Sequence, residues 1–241
     1  MKRFKVDLHL HTNVSYDAVI TFDDLQKAYQ LGRFDAVAIT DHGTIRNAVE
    51  FAKKAQFPVI VSEEIKTCDG DVIGLFLKKE IAEHQGVLET MYEIHSQGGL
   101  VSIPHPFDSL KCGLPEEKVL QVLGGIDLFE THNFSYGAGI FKNNLNKVID
   151  FAKKYNLTAT AGSDAHIPSE IGTAFLEFEN ADESVLENAQ IFLRSCANAA
   201  PKMLGEPNYK LFLKHFTNLA YMKKSFIPNL HCLAHVFFSK L

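Results

Sequence analysis

Residues 6–11 read Val6-Asp7-Leu8-His9-Leu10-His11, with an apolar residue at every even position and a polar one at every odd position. Side chains alternate faces along a strand, so this spacing predicts an extended segment with Val6, Leu8 and Leu10 on one face and Asp7, His9 and His11 on the other. Two imidazoles then converge from one strand. A wholly aliphatic opposite face is what covering helices require, which turns the histidine face towards the inside of a barrel or cleft.

Working outward, the same event recurs. The apolar run 36–40 leads into Asp41-His42, 59–62 into Glu63-Glu64, and 100–103 into Pro104-His105-Pro106. Run 126–129 leads into Glu130-Thr131-His132-Asn133, and 158–161 into Gly162-Ser163-Asp164-Ala165-His166. Six successive strand ends therefore deliver His, Asp or Glu. In parallel α/β architectures ligands bind at the carboxyl ends of strands. One such residue is accounted for by a satisfied core histidine or a helix N-cap. Six together, without a cation, would leave buried charge unpaired. The donors are nitrogen and oxygen only, which suits Zn, Mn or Fe(II) and disfavours a structural thiolate site.

Between the strands lie stretches of helical period at about 44–55, 87–97, 115–123, 139–155 and 183–195, and another opened by Thr21 and closed by Gly32. This alternation predicts an α/β protein of βα units around a mostly parallel sheet, with further strands at 71–77 and 174–178. Asp69-Gly70 is a hairpin signal that interrupts the parallel pattern. FAKK occurs at 51–54 and 151–154, each time closing a helix ahead of a strand. Residues 1–200 form the expected barrel domain. Pro201, Gly205 and Pro207 then break the pattern, and 201–241 is expected to be a helical extension packed on the barrel, with a helix at 209–224 and an apolar tail at 225–241.

At 241 residues, 46% hydrophobic and 22% charged, the composition is that of a globular domain and excludes disorder, collagen and coiled coil. The longest stretch without Asp, Glu, Lys or Arg, 225–239, is fifteen residues, too short for a membrane span. Asp7, His9 and His11 interrupt the amino terminus before a signal-peptide core can form, and a cytoplasmic protein is expected. The cysteines, 68, 112, 196 and 232, form no CxxC pair and are expected to be reduced and mostly buried. A net charge of −5 excludes a broad footprint for long duplex nucleic acid, leaving a small phosphorylated substrate as the expected partner and no membrane. The sequence does not set the oligomeric state.

DLHLHT at 7–12, TDHGT at 40–44, the glutamate of SEEIKT, PHPF around His105 and GSDAH at 162–166 resemble, in order, the motifs of the PHP (polymerase and histidinol phosphatase) family of metal-dependent phosphoesterases. The resemblance spans roughly residues 4–180. It implies a distorted (β/α)7 barrel with two or three divalent ions (Mn, Zn or Fe) at the carboxyl ends of the strands. By that resemblance His9, His11, Glu64 and Asp164 ligate one ion, with Glu64 bridging to a second. Asp17, His42, His105 and His166 are the remaining ligands, with His132 as an additional candidate. Where many relatives carry a histidine three residues before a glycine, this chain has Asp71, three before Gly74, either a ligand in its place or the mark of a weakened site.

Arg46, opening a helix, and Lys66, on the strand face of Glu64, are candidate substrate contacts. Glu63 points to the opposite face. His84, His95 and the tail pair His231 and His235 lack carboxylate neighbours at a strand end and receive no role. The expected activity is hydrolysis of a small phosphomonoester or phosphodiester, a nucleotide for preference, by metal-activated hydroxide, with His105 or His166 protonating the leaving oxygen. The alternatives are a histidinol-phosphate-type phosphatase, a metal-dependent amidohydrolase, which usually needs a carboxylated lysine where this chain has Glu64, and a non-catalytic PHP-like accessory domain.

Overall fold

The structure is a computed structural model and describes residues 2–134 and 142–204, with the side chains of 142–144 excepted. The expected helix at 209–224, the apolar tail, Cys232, His231 and His235 lie outside the described residues. In chain order the elements are β1 (Arg3–Asp7), α1 (Phe22–Gln30), β2 (Ala36–Ile39), α2 (Arg46–Lys54), β3 (Val59–Lys66), β4 (Asp71–Leu75), α3 (Val87–Ser96) and β5 (Leu100–Ile103). There follow α4 (Glu116–Val122), β6 (Leu128–Asn133), α5 (Lys142–Lys154), β7 (Ala159–Gly162), β8 (Ala174–Glu179), α6 (Ala189–Cys196) and β9 (Ala200–Met203). No helix among the described residues is long and apolar enough to cross a membrane.

Local chemistry sets several boundaries. Thr21 and Asp24 form a reciprocal capping box at the start of α1. Both FAKK segments close helices, α2 and α5, with basic residues in the last turn where the helix dipole favours them and with Phe51 and Phe151 buried beneath. At the hairpin between β3 and β4, the Thr67 hydroxyl accepts from the Asp69 and Gly70 amides. This pairing runs from Ser62↔Leu75 to Lys66↔Asp71 and carries β3 four residues beyond its expected end, so Glu64 sits within the strand.

The nine strands lie in the order β7-β6-β5-β4-β3-β2-β1-β8-β9. The pairs β1/β2, β2/β3, β5/β6 and β6/β7 are parallel, and the other four are antiparallel, so the sheet is mixed where a mostly parallel one was expected. The sheet curls into a nearly closed barrel. His11 N donates to Ala165 O at 3.0 Å and Asp164 N to His9 O at 2.7 Å, which ties the chain after β1 to the chain after β7. Lower down, the same edge of β1 is taken by β8, through Arg3↔Glu179 to Val6↔Leu176.

One apolar cluster joins Val6 and Leu8, Ala36 and Ala38, Ile60, Ile73 and Leu75, Leu100, Leu128, and Leu176 and Phe178. Strands from opposite parts of the sheet meet only inside the barrel, so these residues mark its interior. Phe192 and Cys196 of α6 join them and plug the amino-terminal end. Strand periodicity then assigns the other end. Two positions beyond the apolar floor come Ser62 after Ile60, Ser102 after Leu100 and Glu130 after Leu128, and two further along β3 comes Glu64. On antiparallel β4, Asp71 shares the face of Ile73 and Leu75. The barrel interior thus changes from aliphatic to polar along every one of these strands.

The expected facing in β1 requires one correction. Leu10 belongs to a different cluster, outside the barrel with Leu25, Val37 and Phe51, whereas Val6 and Leu8 are interior. The alternation slips where β1 ends at Asp7, whose carboxylate accepts from the His9 amide at 3.3 Å. His9 and His11 share a face after that slip, and Asp7 does not join them.

Candidate metal centre

Three overlapping groups of potential ligand atoms lie at the polar end of the barrel: His9, His11 and Asp164; His9, Glu64 and His105; and His11, His42 and His166. Within each group the atoms are within 4.8 Å of one another. Glu64 is at the centre. Its Oε1 lies 2.9 Å from His105 Nε2, while Oε2 lies 3.2 Å from His11 Nε2, 3.3 Å from His42 Nδ1 and 3.5 Å from His9 Nε2. Asp164 Oδ1 is 3.3 Å from His9 Nε2 and 3.4 Å from His11 Nε2. Asp17 Oδ2 stands between His42 Nε2, at 3.3 Å, and His166 Nε2, at 3.4 Å.

Surrounding groups fix these side chains. Glu130 Oε1 takes His9 Nδ1 at 3.1 Å, which turns Nε2 towards the cluster, and Glu130 Oε2 accepts from the His105 amide at 2.7 Å. His166 Nδ1 donates to the Asp164 carbonyl at 2.8 Å, leaving Nε2 for Asp17. The segment carrying Asp17 is tied down by Asp41, which accepts from Thr12 N and Oγ1, both at 2.6 Å, and from Ser15 Oγ at 2.7 Å. Asp7 receives Ser163 N and Gly172 N, and burial raises its carboxyl to about 6 against those bonds. A Cβ on Gly162 would lie 2.3 Å from His9 Cβ, so only glycine lets β7 pass this close. His105 (φ 28°) and Asp164 (φ 51°) are both held in the left-handed region, a strain that concentrates at functional sites.

The electrostatics of the cluster test whether it suits cations. Burial opposes charge on His9, yet Asp164, Glu130 and Glu64 hold it protonated well above the ordinary range. His11 and His42 are raised in the same way, against burial and a neighbouring imidazole, and His166 is raised to about 9 against burial by Asp17 and Asp164. Burial would raise Glu64, but His9, His105 and His11 hold it well below the carboxylate range. Asp17 is held low against burial by His166 and His42, and Asp164 by Lys111, His9 and His11. Protons on the imidazoles supply the positive charge that this carboxylate cluster demands, a place divalent cations can take. Among the described residues Asp17 Oδ1, Asp71 Oδ1 and His105 Nδ1 are buried without a hydrogen-bond partner. The all-nitrogen-and-oxygen donor set, centred on a carboxylate with one oxygen on each side, fits divalent metal ions.

Not every expected residue is brought in. His132 is not in the three groups. A bulge in β6 pairs Glu130 with Thr160 and His132 with Ala161, so Thr131 is the extra residue and His132 turns to the other face. Its ring meets the Thr131 hydroxyl at 2.9 Å, and burial lowers its pKa. Asn133 comes inside instead, donating to Glu130 Oε2 at 2.9 Å and Asp164 Oδ2 at 3.2 Å. Asp71 is outside the three groups but buried on the interior face, where burial and the Glu64 charge push its carboxyl well above the usual range. Lys66 pairs in register with Asp71, and Arg46 is exposed at the start of α2. Glu63 faces outward as expected, accepting from the Ile81 amide at 3.1 Å.

Two residues were missed. Glu130 stands at the alternate position after Leu128, where the strand period puts it on the interior face, but the family resemblance points to His132 instead. Lys111, ion-paired with Asp164 Oδ2, lies in a loop with no periodic signal.

A nearly closed α/β barrel with histidines and carboxylates gathered at one end defines a class of metal-dependent barrel proteins, and comparison with known proteins narrows it. Residues 142–190 match the PHP-associated family. An uncharacterized protein of Methanocaldococcus jannaschii is 34% identical over 160 residues, covering 60% of this chain and 91% of its own. A second from the same organism is 32% identical over 181 residues, covering 72% and 70%. A two-domain protein from Bacteroides vulgatus containing a predicted PHP-like metal-dependent phosphoesterase shares the fold, with a TM-score of 0.65 at 18% identity over 91% of this chain and 70% of that one. The chain belongs to the PHP family.

Proposed function

We propose that the protein is a metal-dependent phosphoesterase acting on a small phosphomonoester or phosphodiester, with nucleotides the preferred class, on a distorted (β/α)7 barrel core made by β1 to β7. The observation that carries this reading is Glu64, whose two oxygens each meet a different set of imidazoles. His9, His11, Glu64, Asp164, His105, Asp17 and His42 would hold two or three ions, and Asp71, buried on the same interior face, would contribute another oxygen. Such ions, when bound, supply Lewis acidity that activates water and offsets charge on the phosphoryl oxygens.

The chain's own residues then orient and protonate. Glu130 and Asn133 hold His9, His105 and Asp164 in place. His166 has one nitrogen committed to a backbone carbonyl, so metal ligation and proton donation are exclusive at Nε2. Its side chain is 25% exposed against 4% for His105, which favours His166 at the rim as the donor to the leaving oxygen. His166→Gln is expected to slow an alkyl phosphate by on the order of 100-fold and p-nitrophenyl phosphate, whose leaving group needs no proton, by far less. Equal losses on both, with reduced metal content, would make His166 a ligand.

Deprotonated against a bound cation, Asp71 would add negative charge and a hard donor, which favours Mn or Fe(II) over Zn. Asp71→Ala is expected to lower occupancy of one site by elemental analysis, and Asp71→His to shift preference towards Zn with activity kept. Full metal content and unchanged activity in the alanine variant would make Asp71 structural.

The reading as a whole is tested by screening metal-loaded protein on p-nitrophenyl phosphate, bis-p-nitrophenyl phosphate, histidinol phosphate and nucleotides. Hydrolysis of none of them, with metal bound, would favour the accessory-domain alternative.

A further inference from the structure

What stands behind an imidazole decides which of its nitrogens carries the proton, and so which one can bind a cation. Behind His11 is the Ser15 hydroxyl, 3.4 Å from Nδ1, a group that can donate or accept. Behind His166 is a backbone carbonyl. Behind His9 is the buried carboxylate of Glu130, its Oε1 3.1 Å from Nδ1. A Cβ on Gly162 would lie 2.8 Å from that oxygen, so the glycine of β7 that admits His9 also makes room for the group behind it.

The surroundings of Glu130 leave it one way to act. Its Oε2 accepts from the His105 amide at 2.7 Å and from Asn133 Nδ2 at 2.9 Å. A backbone N–H is a donor in any setting. The Asn133 amide is fixed as well, because the same nitrogen also meets Asp164 Oδ2, at 3.2 Å, and an amide between two carboxylates turns its nitrogen to both. With Oε2 committed to two donors, Oε1 is left to accept from His9, whose Nδ1 must therefore carry a proton. His9 Nε2 then faces Asp164 Oδ1 at 3.3 Å, Glu64 Oε2 at 3.5 Å and His11 Nε2 at 3.2 Å. A proton held there is the one that a cation displaces, and the proton on Nδ1 stays.

We infer that Glu130 is the positioning residue that sets the tautomer of His9, keeping a proton on Nδ1 so that Nε2 offers its lone pair to a cation, and that the two donors on its other oxygen make this setting obligatory. The same carboxylate holds the His105 backbone and, through Asn133, reaches Asp164, so three of the proposed ligands depend on it. The inference rests on the metal-binding part of the reading above and not on phosphoester hydrolysis.

The test uses the full chain, as wild type and Glu130→Gln. Glutamine has the same shape but turns one acceptor into a donor. Its oxygen is drawn to the two fixed donors, which sets its NH2 against His9 Nδ1; the reverse placement would set that NH2 against both donors at once. His9 must then accept at Nδ1 and carry its proton on Nε2, where Asp164 and Glu64 receive it. Nitrogen-15 NMR of the histidine rings in metal-free protein, at mildly alkaline pH and with His9 assigned by its absence in His9→Ala, is expected to show Nδ1 protonated in the wild type and unprotonated in Glu130→Gln. Affinity for Mn or Zn against a competing chelator is expected to fall by roughly 10- to 100-fold in the variant, with the metal-free melting temperature kept. Unchanged affinity, or lost affinity with Nδ1 still protonated, would overturn the inference, the second by making Glu130 act on the ion through its charge alone. Should the variant not fold, the wild type decides: an unprotonated Nδ1 overturns the inference and a protonated one supports it. A wild type that binds metal but hydrolyses no phosphoester removes the reaction assignment and leaves this inference standing, whereas a wild type that hydrolyses phosphoesters with Nδ1 unprotonated does the reverse.

Discussion

Glu64→Ala is expected to release at least one metal equivalent and to lower phosphoester hydrolysis by more than roughly 100-fold, the upper range for losing even an outer partner of a metal ligand. Glu64 contacts His9, His11, His42 and His105 together. Removing its two oxygens takes a donor from both sides of the centre and leaves buried imidazoles facing one another, His9 Nε2 and His11 Nε2 being 3.2 Å apart. Elemental analysis of protein grown with Mn or Zn, beside phosphate release, checks both halves. Full metal content with full activity would refute the bridging role. By contrast, replacing Cys68, Cys112 or Cys196 by alanine should leave turnover intact, since none joins the ligand groups.

Phe192→Ala is expected to cost about 3–5 kcal/mol of stability while leaving metal content unchanged. The ring is fully buried at the end of the barrel away from the metal centre, 5.5 Å from Phe76 and 5.9 Å from Phe178 between centroids. No neighbouring element can collapse into the space, because the strands around it are held by their ladders. For a chain of this size the loss corresponds to roughly 10 °C in melting temperature. A drop of only a degree or two in a thermal melt would show that α6 is not the plug described above.

Much of this architecture was legible because periodicity is a property of neighbours in sequence. The strand-end pattern, the Asp69-Gly70 hairpin and the capping box of α1 needed no knowledge of distant partners. What failed depended on such partners. The bulge that turns His132 away and Asn133 inward is set by the register of β6 against β7. The slip after Asp7 follows from its bonds to the Ser163 and Gly172 amides. Pro201 reads as a breaker and hides β9, yet on an edge strand a missing donor is tolerated. The expected helix at 183–195 divides because Asn188 caps a new helix, its side chain accepting from the Ile191 amide at 3.0 Å. Lys111 reached the cluster through loop conformation, which leaves no trace in hydrophobic pattern.

The seam between the ends of β1 and β7 sets an order of events during synthesis. Asp7 and Ser163, bonded across it, are separated by 156 residues of chain. At ribosomal speed the histidine pair at 9 and 11 waits roughly 10–30 s before Asp164 exists to meet it. Until then the contacts from His9 and His11 to residues 164 and 165 cannot form, and the pair lacks half of its partners. A complete ligand set therefore cannot assemble before residues 164–166 have been made, and a nascent polypeptide that stalls midway carries imidazoles with nothing to hold an ion in register.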